Sequence, residues 1–219
     1  MRKFRQDSYC YPDSEVLINK LGIRSDKELE KAESAITFIR LAQIKSVTGD
    51  FDYDHLKRMH GFIFGDIYEW AGHERRSDIC KNEQVLGGLS VKYTYPTEIA
   101  REARRAIAAF HETDWVSLPT NERAEKYAAA VAALWQVHPF REGNTRTIMT
   151  FACEFSDECG FHMDRQLFGK HADFTRRALV MASIGQYSEP KHIIRIFADS
   201  MERGERAVSM SAGSTENGK

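Results

Sequence analysis

Apolar residues recur at helical spacing along most of the chain, and short polar segments separate the runs. The clearest run follows Pro119, where Tyr127, Val131, Leu134 and Trp135 fall at i, i+4, i+7 and i+8. Similar stripes predict about seven or eight helices, which cover residues 13–20, 25–47, 52–67, 96–110, 119–138, 145–159, 172–182 and 190–204. The pattern therefore predicts an all-α fold.

Polar residues and glycines predict where several of these helices begin and end. Residues 25–28, Ser-Asp-Lys-Glu, form a capping-box sequence, and Asp52 is placed to cap the following helix. Gly204 is expected to end the last helix. Residues 205–219 are mostly small and polar, so they are predicted to be a disordered tail. Since no segment has the composition of a linker, residues 1–204 are expected to form a single domain.

One stretch, residues 73–95, departs from the helical pattern. Residues 92–95 are of good β-propensity, residues 75–80 alternate loosely, and Gly87-Gly88 offers a turn between the two runs. We predict a short β-hairpin here, although a structured surface loop would suit the same residues.

Composition narrows the classes of function. The 31 Lys and Arg residues nearly balance 32 Asp and Glu residues, so the sequence gives no support to a nucleic-acid or membrane surface. The basic N-terminus lacks the apolar stretch of a signal peptide. The four cysteines are scattered, as free thiols in a reducing compartment would be. We therefore expect a cytoplasmic protein.

The densest chemistry lies in residues 138–146, His-Pro-Phe-Arg-Glu-Gly-Asn-Thr-Arg, between two predicted buried helices. The second helix begins where this run ends, and helix N-termini attract phosphates. Gly143 would let a phosphate approach the backbone, Asn144 tolerates a left-handed turn, and Arg146 can bind the same anion. Glu142 would repel phosphates unless it binds Mg²⁺. His138 is then free to take a proton from a hydroxyl nucleophile.

These residues resemble the signature of the Fic family, His-Pro-Phe-x-(Asp/Glu)-Gly-Asn-Gly-Arg-x-x-Arg. Residues 66–72, Asp-Ile-Tyr-Glu-Trp-Ala-Gly, with Arg75 and Ile79, are similar to the segment that leads into the family's flap hairpin, and residues 9–23 are similar to the start of bacterial Fic domains. The resemblance implies a Fic-type helical bundle with one short β-hairpin flap. It also implies that the protein is an adenylyltransferase, moving AMP from ATP·Mg²⁺ to a Ser, Thr or Tyr hydroxyl of a target protein.

The resemblance assigns roles residue by residue. His138 would be the catalytic base and Glu142 the metal ligand. Gly143, Asn144, Thr145 and Arg146 would bind the nucleotide phosphates. In Fic domains a loop near the adenine falls where Tyr187 stands, which makes Tyr187 a candidate for stacking, although we favour a core position for it. No segment matches the family's inhibitory-helix motif, so an inhibitory helix would come from a separate, antitoxin-like chain.

The sequence departs from the signature at two positions. Thr145 stands where the family usually has glycine, and Met149 stands where it usually has a second arginine. A Doc-like phosphotransferase, in which ATP lies the other way round, is therefore one alternative. A catalytically silent module that binds nucleotide or protein is the other. Both residues also suit plain structural roles, Thr145 at a helix start and Met149 in the core.

Overall fold

The computed structural model describes residues 7–216, and their side chains as far as Met210. Eight α-helices cover most of this part of the chain: α1 (Asp26–Ala42), α2 (Tyr53–Phe64), α3 (Ile99–His111), α4 (Thr120–Val137), α5 (Asn144–Glu158), α6 (Arg165–Lys170), α7 (Ala172–Ala182) and α8 (Lys191–Glu216). The prediction of an all-α fold is confirmed. None of the helices described is long and apolar enough to cross a membrane.

Helix α4 lies at the centre of the molecule, because its apolar residues surround the helix rather than forming one stripe. It packs against α3, α5, α7 and α8. Tyr127, Val131, Leu134 and Trp135 are fully buried on it. The loop of residues 138–143, here called the signature loop, joins α4 to α5 within this core. The loop therefore has rigid supports at both ends.

Several helix boundaries fall where the sequence predicts them. The Asp52 side chain accepts a hydrogen bond from the backbone N–H of His55, which caps α2 as expected. Helix α7 has the predicted bounds, and Gly160 follows α5 with a positive φ of 84°. Ser25 precedes α1, but its side chain makes no capping hydrogen bond.

The predicted helix in residues 13–20 does not form. The backbone N–H of Tyr11 instead donates to the Val16 carbonyl, and Cys10 pairs with Leu17 in an isolated β-bridge. The side chain of Asn19 donates to two backbone carbonyls, those of Leu17 and Ile23. These local bonds satisfy the backbone in a turn, which replaces the helix.

The predicted β-hairpin in residues 73–95, here called the flap, is also wrong in its detail, since the flap contains no β-strand. It contains one turn of 3₁₀-helix, Gln84–Leu86, enclosed by a hydrogen bond from the Glu83 N–H to the Leu89 carbonyl. The buried side chains of Arg75 and Glu83 bind other parts of the protein. Long-range side-chain contacts, rather than cross-strand pairing, hold the flap in place.

Helix α8 does not end at Gly204 as predicted, but continues to Glu216. A Cβ at position 204 would lie 2.3 Å from the backbone oxygen of His162. Glycine is therefore required there for close packing against the chain before α6, and not for helix termination. The helix also covers most of the predicted disordered tail, of which residues 217–219 lie outside the described residues.

Candidate functional site

His138 directly follows α4 as its C-terminal cap and has an uncommon backbone conformation, with φ 51° and ψ 59°. Pro139 disfavours helical geometry at the residue before it, so α4 ends here as predicted. The imidazole is only 1% exposed. Its Nδ1 lies 3.3 Å from the Trp135 carbonyl, which can only accept, so the proton is assigned to Nδ1. Nε2 is then the proton acceptor, and it has no hydrogen-bond partner.

The charge state of His138 follows from its surroundings. Burial lowers its pKa well below the ordinary value, and the nearby cations Lys81, Arg75 and Arg176 act in the same direction. The hydrogen bond to Trp135 opposes them but does not prevail. His138 is consequently neutral at pH 7, which is the state that a general base requires.

Glu142 lies at the other end of the signature loop, beside the start of α5. Its Oε1 accepts from the N–H of Gly143 at 3.0 Å, and its Oε2 lies 3.1 Å from the Lys81 ammonium. Burial raises the pKa of Glu142, but Lys81, the Gly143 N–H and Arg141 outweigh burial and lower the pKa overall. The carboxylate is therefore ionised and already faces a cation.

The donor set at Glu142 fits Mg²⁺ held jointly by protein and nucleotide. In the described part of the chain, no cluster of three or more His, Cys, Asp or Glu side chains could bind a metal without other ligands. Mg²⁺ usually takes one or two carboxylates and completes its shell with waters and substrate phosphates. The first N–H groups of α5, from Asn144 to Arg146, have no acceptor within the helix and can bind those phosphates.

Gly143 and Asn144 contribute differently from the prediction. The left-handed residue is Gly143, with φ 79°, and a Cβ there would lie 2.3 Å from the Phe64 ring. Asn144 is the first residue of α5, and its side chain is bound in both directions to the backbone of Phe140, with Oδ1 2.9 Å from N and Nδ2 2.7 Å from O. Asn144 closes the loop, so only its backbone is available to a phosphate.

Thr145 and Arg146 both have protein partners. The indole N–H of Trp135 donates to the Thr145 hydroxyl at 2.8 Å. Nη1 of Arg146 lies 3.2 Å from Oε1 of Glu33 and 3.0 Å from the Thr37 hydroxyl, both on α1. The Thr145 hydroxyl is thus turned toward α4, and part of the Arg146 guanidinium is neutralised by α1.

Two further sequence predictions concern residues around the site. Met149 is 6% exposed and belongs to the hydrophobic core, as its structural interpretation expects. Tyr187 is 71% exposed, so the core position that we favoured for it is wrong. It follows α7 in a 3₁₀ turn, Gly185–Tyr187.

The structure adds Arg75 to the site, where the sequence gave it no role. Its backbone N–H donates to the Pro139 carbonyl, and its Nε donates to the His138 carbonyl, both at 2.8 Å. The two terminal nitrogens bind the carbonyls of Ser77 and Thr94, one on each limb of the flap. A single buried guanidinium thus joins the flap to the residue that would act as base.

His60 of α2 supports Glu142. The N–H of Gly72 donates to its Nδ1 at 2.8 Å, so the proton is on Nε2, which donates to the Glu142 carbonyl at 3.0 Å. The imidazole is stacked on the rings of Phe140 and Phe64. No sequence pattern could have indicated this role, because Glu142 lies 82 residues away.

The flap covers the His138 imidazole. The Tyr93 ring lies 4.1 Å from the His138 ring, measured between centroids. Glu83 is buried and binds Arg176 of α7 through two contacts of 2.7 Å, and the Tyr93 hydroxyl donates to the same carboxylate at 3.4 Å. Nε2 of His138 is buried, and the Tyr93 ring of the flap lies against the same imidazole.

Comparison with known proteins agrees with the resemblance. Residues 50–156 match the model of the Fic/DOC family. The protein adenylyltransferase VbhT of Bartonella schoenbuchensis is 36% identical over 168 residues, which cover 75% of this chain and 34% of VbhT. The probable protein adenylyltransferase y4lH of Sinorhizobium fredii is 32% identical over 161 residues, which cover 73% of this chain and 80% of that protein. This chain thus spans about a third of VbhT and most of y4lH.

The fold also matches solved structures. The BepC protein of Bartonella tribocorum, a VirB-translocated effector crystallised with bound AMPPNP, superposes with a TM-score of 0.73. The match covers 88% of this chain and 95% of the crystallised BepC chain at 22% identity. At that identity the likeness concerns the fold.

Proposed function

Because the chain belongs to the Fic/DOC family, we propose that it is a protein adenylyltransferase, which transfers AMP from ATP to a hydroxyl side chain of another protein. The observation that carries the proposal is the arrangement of the signature loop. A neutral imidazole with a free Nε2 and an ionised carboxylate lie within the six residues that lead into a helix N-terminus. This arrangement supports the assignment of His138 and Glu142 to the reaction.

The reaction follows from the protonation states. Nε2 of His138 accepts the proton of the target hydroxyl as its oxygen bonds to the α-phosphorus, and the bond to pyrophosphate breaks. The Trp135 carbonyl stabilises the imidazolium through the Nδ1–H bond. Glu142 would hold Mg²⁺, which neutralises charge that develops on the phosphates. The backbone N–H groups of Asn144, Thr145 and Arg146 would orient the phosphates at the start of α5.

Labelling of a cell lysate with α-³²P-ATP tests this function. The wild-type protein is expected to label at least one protein band, whereas His138→Ala is expected to label none above background. Equal labelling by the two proteins would refute the proposed role of His138. Labelling from γ-³²P-ATP alone would instead establish phosphate transfer, the alternative that Thr145 suggested.

Nucleotide binding without labelling in either experiment would establish the other alternative, a silent module. Three further points stay predictions: stacking by the exposed Tyr187, inhibition by a separate antitoxin-like chain, and a cytoplasmic location.

A further inference from the structure

Most cations around the signature loop are committed to partners outside the proposed metal and phosphate site. The committed groups are Arg75, bound to backbone carbonyls, Arg141 to Asp7, Arg146 to Glu33, and Arg176 to Glu83. These guanidinium groups are therefore structural in the free protein.

Lys81 differs because its partner is the proposed metal ligand. Its Nζ lies 3.1 Å from Oε2 of Glu142, and its side chain is 20% exposed. When a divalent cation binds Glu142, two positive charges would compete for one carboxylate, and repulsion would displace the ammonium. The Lys81 side chain must then find another partner close by.

The backbone around Lys81 is held in place, so the side chain alone would move. The Lys81 N–H donates to the Ser90 hydroxyl at 3.1 Å, and Glu83, two residues on, is bound to Arg176. A lysine carries a compact charge on a flexible four-carbon stem, which suits such a movement. The positive charge of Lys81 also contributes to the lowered pKa of His138.

A bound triphosphate would be the nearest new partner. Its negative charge exceeds what one Mg²⁺ neutralises, and Met149 is an apolar core residue that offers no cation. The phosphates would lie between Glu142 and the first N–H groups of α5, within reach of the displaced ammonium.

We propose that Lys81 is a nucleotide-binding residue. In the free protein its ammonium neutralises Glu142, and when the metal takes Glu142 the ammonium binds a phosphate oxygen of the triphosphate. The proposal rests on the proposed function, because it assumes that ATP and Mg²⁺ bind at the signature loop.

Calorimetric titration with α,β-methylene-ATP in the presence of Mg²⁺ tests the proposal. Lys81→Met removes the charge but keeps the stem, and it is expected to weaken binding about tenfold or more, as the loss of a hydrogen bond to a charged group does. Lys81→Arg is expected to recover most of that affinity. Lys92→Met is the matched control, because Lys92 is an exposed lysine of the same flap, and its affinity is expected to stay within about twofold of wild type.

Equal or tighter binding by Lys81→Met would overturn the proposal, since an ammonium that only blocked Glu142 would hinder the metal and its removal would help. Thermal unfolding checks that the variant keeps the fold, and Lys81→Arg supplies a second comparison. No binding by the wild type would refute this proposal and the proposed function together. Binding with the expected Lys81 effect, but without transfer to any protein, would refute the transfer reaction alone.

Discussion

The backbone of His138 has a positive φ, a conformation that residues other than glycine seldom adopt. Three contacts hold it there: its own N–H bonded to the Trp135 carbonyl, the Arg75 guanidinium on its carbonyl, and the Tyr93 ring on its imidazole. Residues in such strained conformations persist only when their surroundings fix them. Arg75 and Tyr93 both belong to the flap, so the flap helps to place the base as well as to cover it.

The Thr145 hydroxyl stabilises the start of α5, because it accepts a hydrogen bond from the indole N–H of Trp135. Thr145→Gly would leave the buried indole N–H without an acceptor and place glycine in a helix, so it is expected to lower the free energy of unfolding by about 1–3 kcal/mol. Thr145→Ser keeps the hydroxyl and is expected to lose less than about 1 kcal/mol. Urea denaturation measures both. Unchanged stability in Thr145→Gly would show that the bond contributes nothing.

His60 makes stability depend on pH. Burial lowers its pKa to about 4, from 6.5, so between these values the unfolded chain takes up a proton that the folded chain refuses. Stability therefore falls as the pH drops from about 6.5 to 4, by up to roughly 3 kcal/mol from this residue alone. His60→Gln, which keeps an amide donor for the Glu142 carbonyl, is expected to flatten this part of the profile of unfolding free energy against pH. An unaltered slope would contradict the assignment.

At the scale of elements, the ion pair between Glu83 and Arg176 fixes the flap to α7. Arg176→Met would leave the carboxylate of Glu83 buried and unpaired, a change that typically costs about 3–5 kcal/mol. Because the flap can open locally, the cost is expected to appear as faster hydrogen exchange of the Leu86 and Gly88 amides, by about a hundredfold or more. Glu83→Gln, which can still bind Arg176, is expected to have a smaller effect. Equal exchange in Arg176→Met and wild type would show that the flap is held by other contacts.

The packing of α8 predicts whether alanine at position 204 raises or lowers the stability of the protein. Alanine in place of glycine usually stabilises a helix by about 1 kcal/mol. Gly204→Ala is expected to destabilise this protein instead, by about 1–3 kcal/mol, because its Cβ would overlap the His162 carbonyl. Thermal unfolding decides the sign, with Gly169→Ala as a control, since a Cβ at Gly169 meets no atom. A higher melting temperature for Gly204→Ala would contradict the claim that close packing against His162 requires glycine there.

The sequence predicted those features that depend on neighbouring residues. These are the cap at Asp52, the bounds of α7, and the turn at His138 between two buried helices. It could not predict features that depend on distant partners. Arg75 contacts a residue 63 positions away, and Arg176 reaches Glu83 across 93 positions. Gly204 was misinterpreted for the same reason, because its packing partner belongs to another element.

At the scale of the whole molecule, contacts from other elements enclose the proposed site. Tyr93 of the flap lies over His138, and Lys81 of the flap forms an ion pair with Glu142. Glu33 of α1 forms an ion pair with Arg146. Two elements, the flap and α1, thus neutralise or cover groups of the proposed site. Nucleotide binding would exchange the Lys81–Glu142 contact for phosphate and metal contacts, and the Tyr93 ring lies against the imidazole that the target hydroxyl must reach.

A crystal structure with α,β-methylene-ATP and Mg²⁺ tests this account most directly. The account predicts a metal ion on the Glu142 carboxylate, phosphates at the first N–H groups of α5, and the Lys81 ammonium on a phosphate oxygen instead of on Glu142. Nε2 of His138 should lie open to the α-phosphorus. A nucleotide bound elsewhere, with the signature loop empty and His138 still covered by Tyr93, would contradict it.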